Sequence, residues 1–155
     1  MRHPVALAAA MLAGSVTMLS AQAAPAPARH WAPAPAVFPA GAQMAVVSGD
    51  PTKAGPFVIE LSMPPGYRIP PHTHPTDETV KVVKGTFLVG MGNTYDEANA
   101  KPMPTGASGS MKAGMAHFAT AQGATVVSVT STGPFAMTYV NPSDDPTRAL
   151  AKPKS

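Results

Sequence analysis

In the stretch FVIELSM, Phe57, Ile59, Leu61 and Met63 fall on one side of an extended chain and Val58, Glu60 and Ser62 on the other. That is the two-residue period of a strand with one buried face. Phe135, Met137 and Tyr139 repeat it. Short runs of strand character lie at Gln43–Ser48, Phe57–Met63, Thr79–Lys84, Thr86–Met91, His117–Thr120, Thr125–Thr132 and Phe135–Val140. Between Pro39 and Pro146 the longest stretch free of Gly and Pro is nine residues, short of the roughly eleven or twelve of an average helix. The pattern predicts an all-β domain, a sandwich or a small barrel, and periodicity does not choose between them.

The two ends of the chain depart from this pattern. Arg2 and the amino terminus precede an apolar run from Val5 to Leu19, which Ala21-Gln22-Ala23 closes with a small-x-small sequence. Residues 1–23 therefore read as an export signal, cleaved after Ala23, and the mature protein is expected to be periplasmic or secreted. Gly14, Ser15 and Thr17 interrupt the run, and it falls short of the roughly 20 apolar residues that span a bilayer, so no membrane partner is expected after cleavage. Gln22 stands where a lipid-bearing cysteine would be needed. Residues 24–37, with APAPARHWAPAP at their start, read as an extended Ala/Pro linker in which neither a helix nor a central strand can run. The domain is expected over 38–147, followed by a flexible tail at 148–155.

Charge changes the picture little. With Arg2 set aside, ten of the eleven Lys and Arg face eight Asp and Glu. No basic cluster and no series of aromatics among cations marks a nucleic-acid surface, so no nucleic-acid partner is expected. Cysteine is absent. No disulfide can staple the chain, no thiolate can serve as nucleophile, and any metal must sit on nitrogen and oxygen.

Candidate chemistry concentrates in GYRIPPHTHPTDETVKVVKG, Gly66 to Gly85. On an extended strand His72 and His74 point to the same side, about 6 to 7 Å apart, so both imidazoles can converge on one ion. Glu78 lies beyond a bend at Pro75, which lets its carboxylate return to the histidine face as a third ligand.

This stretch resembles the first cupin motif: Gly66, five residues, His72-x-His74, three residues, Glu78, six residues, Gly85. GASGSMKAGMAHFATA resembles the second, with Gly106, Gly114 and His117 in place; Lys112 stands where the family usually has proline, and Ala121 where it often has asparagine. The match is similar to small single-domain cupins of the type-2 and ChrR-like kinds, over roughly Phe38 to Val140. The resemblance implies a double-stranded β-helix, or jelly roll, in which His72, His74, Glu78 and His117 hold one divalent transition metal, with Fe, Mn, Ni, Zn and Cu all acceptable to such donors. It further implies a small-molecule substrate or ligand and a homodimer formed by adding Ala36–Ser48 to a neighbour's sheet edge.

Cupins host many chemistries, so the site has to argue for one. With all three domain histidines on metal, no histidine remains as a general base. Tyr67, Arg68 and Tyr139 are the candidate catalytic side chains; Tyr95 and Asp77 are further proton acceptors, and Arg68 or Lys112 could hold a substrate carboxylate. Metal-centred oxygen chemistry asks least of the protein, so the expected function is that of an exported, dioxygenase-like enzyme acting on a small organic substrate. The alternatives are a non-catalytic metal or ligand sensor and a metal-assisted lyase or isomerase using a tyrosine base. Met115 shares parity with His117, which raises the thought of copper, although scattered methionines ordinarily pack cores.

Overall fold

Gly and Pro punctuation resolves into eleven strands in the computed structural model, which describes residues 28–150. The expected signal, the start of the expected linker and the end of the expected tail lie outside the described residues. The strands are β1 Ala32–Pro33, β2 Gln43–Ser48, β3 Gly55–Met63, β4 Arg68–Thr73, β5 Glu78–Lys84, β6 Thr86–Met91, β7 Lys101–Pro104, β8 Ser108–Met111, β9 His117–Ala121, β10 Thr125–Gly133 and β11 Thr138–Tyr139. One short helix, α1 Pro146–Leu150, comes after them. All pairings are antiparallel, in a six-stranded sheet ordered β1-β2-β3-β10-β5-β8 and a five-stranded sheet ordered β11-β4-β9-β6-β7. The domain is all-β, a small jelly roll.

The two-residue period places the core between the sheets. Phe57, Ile59, Leu61 and Met63 of β3, Val80 and Val82 of β5, and Val127 and Val129 of β10 are buried against Ile69, Phe87, Ala119 and Ala121 of the other sheet. Each large apolar side chain buried in this way contributes about 1.5 to 3 kcal/mol. Strand β9, HFATA, is buried along its whole length. One of its faces lines the interior, while on the other the Phe118 ring lies 5.0 Å from the ring of Tyr95.

Two expectations change. The run Phe135–Val140 is a strand only at Thr138–Tyr139, because the chain there crosses from the six-stranded sheet, which it leaves with β10, to the five-stranded one, which it joins with β11. Its parity survives: Met137 and Phe135 are half-buried and Tyr139 buried, while Ala136, Thr138 and Val140 face out. The Ala/Pro segment is attached rather than a free spacer from residue 29 onward. Ala32 and Pro33 pair with Met44 and Gln43, and the Arg29 guanidinium donates to both carboxylate oxygens of Glu60 at 2.8 and 2.9 Å. Proline lacks a ladder donor but is tolerated on an edge, which is where β1 lies. The extended stretch expected to carry His72 is β4, which accommodates two prolines as a strand with an irregularity between Ile69 and His72.

Candidate metal centre

The irregularity in β4 sets the site. Ile69 lies opposite Ala119, yet His72 lies opposite His117, so three residues of β4 cover the span of two on β9. The extra residue, within Pro70-Pro71, bulges the strand and re-aims the side chains beyond it. As a result Ile69 and His72 share the interior face, and Arg68 does not. His74 lies just past the end of β4, held where Gly114 N–H donates to its carbonyl at 2.8 Å. Glu78 opens β5, in the opposite sheet. The carboxylate thus comes from one sheet and the three imidazoles from the side of the other.

His72, His74 and His117 are all buried, and one ring nitrogen from each lies within 4.8 Å of the others. In all three, Nδ1 sits against a backbone carbonyl: His72 on Pro70 O at 2.8 Å, His74 on Ala136 O at 2.8 Å, His117 on Met115 O at 3.0 Å. A carbonyl only accepts, so Nδ1 carries the proton, and in the neutral ring Nε2 presents a lone pair. Burial, and after it repulsion from His117, pushes His72 down to about 3 and keeps its ring neutral. Burial alone would raise the Glu78 carboxyl, but contact with His117 and positive charge on the imidazole side outweigh it and hold the group below its ordinary value.

That combination is unbalanced. Glu78 Oε1 lies 3.6 Å from His74 Nε2, and Oε2 lies 3.3 Å from His117 Nε2. Buried His74 Nε2 has no hydrogen-bond partner. With Nδ1 protonated and the rings neutral, that positive charge is missing and lone pairs face the carboxylate, a repulsion that a cation between them removes; an orphaned buried acceptor itself costs about 1 to 3 kcal/mol. A divalent metal would satisfy all of these groups, so the donor set fits such an ion. The surrounding cavity is about 30 Å³ and otherwise apolar, with Phe38, Leu61, Val89, Met111 and Met137 among its walls.

No family model matches this sequence, and no curated protein matches it. Solved structures do. A provisionally named acetylacetone dioxygenase from Methylibium petroleiphilum PM1 is 21% identical, with a TM-score of 0.59 over 83% of this chain and 90% of its own. An RmlC-like cupin from Shewanella frigidimarina NCIMB 400 is 14% identical, with a TM-score of 0.54 over 68% and 86%. The polyketide cyclase RemF from Streptomyces resistomycificus is 17% identical, with a TM-score of 0.55 over 72% and 80%. The chain has the cupin fold. At these identities the likeness is one of architecture, and chemistry is left to the residues.

The cupin motif positions now have physical content. Gly66, Gly85, Gly106 and Gly114 all have positive φ, between 74° and 90°. At Gly85 a Cβ would also lie 2.6 Å from the Ala124 carbonyl, so only glycine fits the turn from β5 to β6. Lys112, in the place of the usual proline, pairs with Asp77 at 2.7 Å, and Ala113 N–H donates to the same carboxylate at 2.9 Å. Both side chains are exposed and tied to each other, away from the imidazoles.

Of the candidate catalytic side chains, Tyr139 lies against His72, with ring centroids 6.1 Å apart, but neither it nor Tyr67 or Arg68 lines the metal cavity. Tyr67 donates its hydroxyl to Pro39 O, and Tyr139 to Val37 O at 2.7 Å. Burial raises both phenols well above their ordinary value. Arg68 is exposed, pairs with Glu97 at 3.1 Å and lies over the Tyr95 ring. Tyr95 in turn bonds Glu97 and Thr120. The Met115 side chain is exposed and only its carbonyl serves the site. Sequence reasoning gave Phe38 no role beyond opening the domain, yet it lines the cavity; no periodicity around it marks it as interior.

Proposed function

We propose that this cupin holds one divalent transition metal on His72, His74, His117 and Glu78 and acts as a dioxygenase-like enzyme on a small, electron-rich organic molecule. The observation that carries the metal reading is the convergence of three buried imidazoles, their Nδ1 atoms committed to carbonyls, upon a buried carboxylate. A redox-active ion held by these residues would supply the coordination sites and electrons that oxygen chemistry on a small substrate needs.

The chain's own contribution is preorganisation. The Pro70, Ala136 and Met115 carbonyls fix ring orientation and raise the donor strength of Nε2. Glu78 supplies one negative charge, which lowers the cost of holding a dication. The apolar walls exclude water and protect reactive species. A tyrosine-base lyase or isomerase loses support, because both candidate phenols near the interior are engaged and hard to ionise. A neighbour provisionally named an acetylacetone dioxygenase makes 1,3-diketones the first substrates to try. Export rests on the character of residues 1–23.

The test has two stages. The His72→Ala, His74→Ala double variant should bind no metal by elemental analysis, whereas Glu78→Gln should bind about 10- to 100-fold more weakly with the fold intact. Equal metal content in parent and double variant would sink the assignment. Protein loaded anaerobically with Fe(II) should consume oxygen only with a diketone, enol or phenol present, and Zn(II) loading should abolish this. The small cavity favours one second reading, a cupin that binds without turnover; ligand binding by calorimetry with no oxygen uptake across Fe, Mn, Ni and Cu would establish it instead.

A further inference from the structure

The metal cavity, at about 30 Å³, has room for one or two waters and for no organic substrate. A second hollow of about 410 Å³ lies on the surface, walled by Pro33, Ala34, Ala36, Pro39, Ala42 and Pro146 among others. Among the described residues Phe38 alone lines both. It is 4% exposed, and its ring stacks on Phe135 at 5.6 Å and 10°. Phe135 in turn lies 5.2 Å from the His74 ring. Phe38, backed by Phe135, therefore stands between the outer hollow and the metal cavity.

How Phe38 is held distinguishes it from an ordinary core residue. The carbonyl on each side of it is bonded by a buried phenol: Val37 O by Tyr139, Pro39 O by Tyr67. Tyr139 lies opposite His72 in the β11 and β4 pairing, and Tyr67 immediately precedes β4. Further hydrogen bonds, Phe38 N–H to Pro35 O at 2.9 Å and Ala34 N–H to Ala42 O at 3.0 Å, close the segment into a compact loop over the site. Its backbone is thus pinned, to the strand that carries His72 and to that strand's neighbour, by two hydroxyls rather than by a sheet ladder, and two side-chain bonds can be released without unzipping strands.

We propose that Phe38 is the gate residue of the metal cavity, and that Tyr67 and Tyr139 are positioning residues that hold it shut. Rotation of its ring, with the hydroxyl bonds loosened, joins the outer hollow to the imidazoles. The hollow's Pro and Ala walls carry no charged side chain, so the class admitted is small, uncharged and largely apolar. This reading rests on the proposed metal site for its biological meaning but not for its test, because access to the histidines can be measured without metal.

Diethyl pyrocarbonate, a small uncharged reagent that acylates neutral imidazole nitrogen, reports that access directly. In the metal-free full chain, with exposed His30 as internal reference, His72, His74 and His117 should be modified far more slowly than His30 by peptide mass spectrometry. Phe38→Ala should raise the ratio of inner to reference rates at least tenfold, and Phe38→Trp should not raise it. Tyr67→Phe and Tyr139→Phe, which remove only the hydroxyls, should each raise it about two- to fivefold, and together by more. These two variants, with Phe38→Leu, serve if Phe38→Ala does not fold, circular dichroism and thermal melting being checked for each. Inner histidines that react at the His30 rate in the parent, or ratios unchanged in the folded variants, would overturn the gate. Co(II) added to the parent should protect the inner histidines; failure of that arm alone would sink the metal reading and leave the gate result standing.

Discussion

At His72 the sequence, the fold and the proton balance meet in one ring. Burial first, then His117 and His74, push it down to about 3 against the opposing pull of the Pro70 carbonyl and Glu78. The unfolded chain takes up a proton at this histidine near pH 6.5, whereas the folded chain does not until near pH 3. Between those values the unfolded state holds the extra proton, so the stability of the metal-free protein falls as pH drops. The slope is about 1.4 kcal/mol per pH unit, or about 2 kcal/mol between pH 6.5 and 5. Glu78, held low, acts in the same direction at lower pH: its stabilisation is present above its unfolded value and lost as pH falls through the folded one. Urea unfolding with a chelator present should show this acid sensitivity in the parent and a shallower one in His72→Gln. Equal slopes would mean that His72 is not the group that takes up the proton on unfolding.

At the scale of strands, the tightest constraint lies where β6 crosses β9. A Cβ at Gly90 would stand 2.0 Å from Cζ of the Phe118 ring, with two more ring atoms within 2.6 Å, and the ring is backed by Tyr95. Gly90→Ala should therefore destabilise by about 3 kcal/mol, the upper part of the usual overpacking range. Adding Phe118→Leu should restore part of that loss in thermal melting; a Gly90→Ala variant with an unchanged melting temperature would show that the ring yields freely. Nothing in HFATA announces this, since a strand buried on both faces has no alternation to read. FVIELSM, by contrast, is fully legible: Phe57, Ile59, Leu61 and Met63 all face the core. The spacing of His72, His74 and Glu78 can be read because their positions along the chain decide where they point. The role of Phe38 cannot, since it depends on a contact with Phe135 almost a hundred residues away. The phase of Arg68 also escapes, because a bulge at Pro70-Pro71 is a property of the pairing with β9 and not of β4 by itself.

Over the whole molecule, the ligand set is divided between the two sheets, with the histidines on the side of one and Glu78 at the head of a strand in the other. Metal should therefore raise the melting temperature of the entire domain, by RT ln(1 + [L]/Kd), or about 2.7 kcal/mol at a hundredfold excess over Kd. Glu78→Gln should lose most of that gain while melting cooperatively; a metal-dependent shift in the His72→Ala, His74→Ala double variant equal to that of the parent would place the ion elsewhere. A chain without cysteine has no covalent bond to rivet one sheet to the other, and an ion bound at the proposed site would take that office. The supply of metal would then govern how long the folded chain survives proteases, as well as whether it can work.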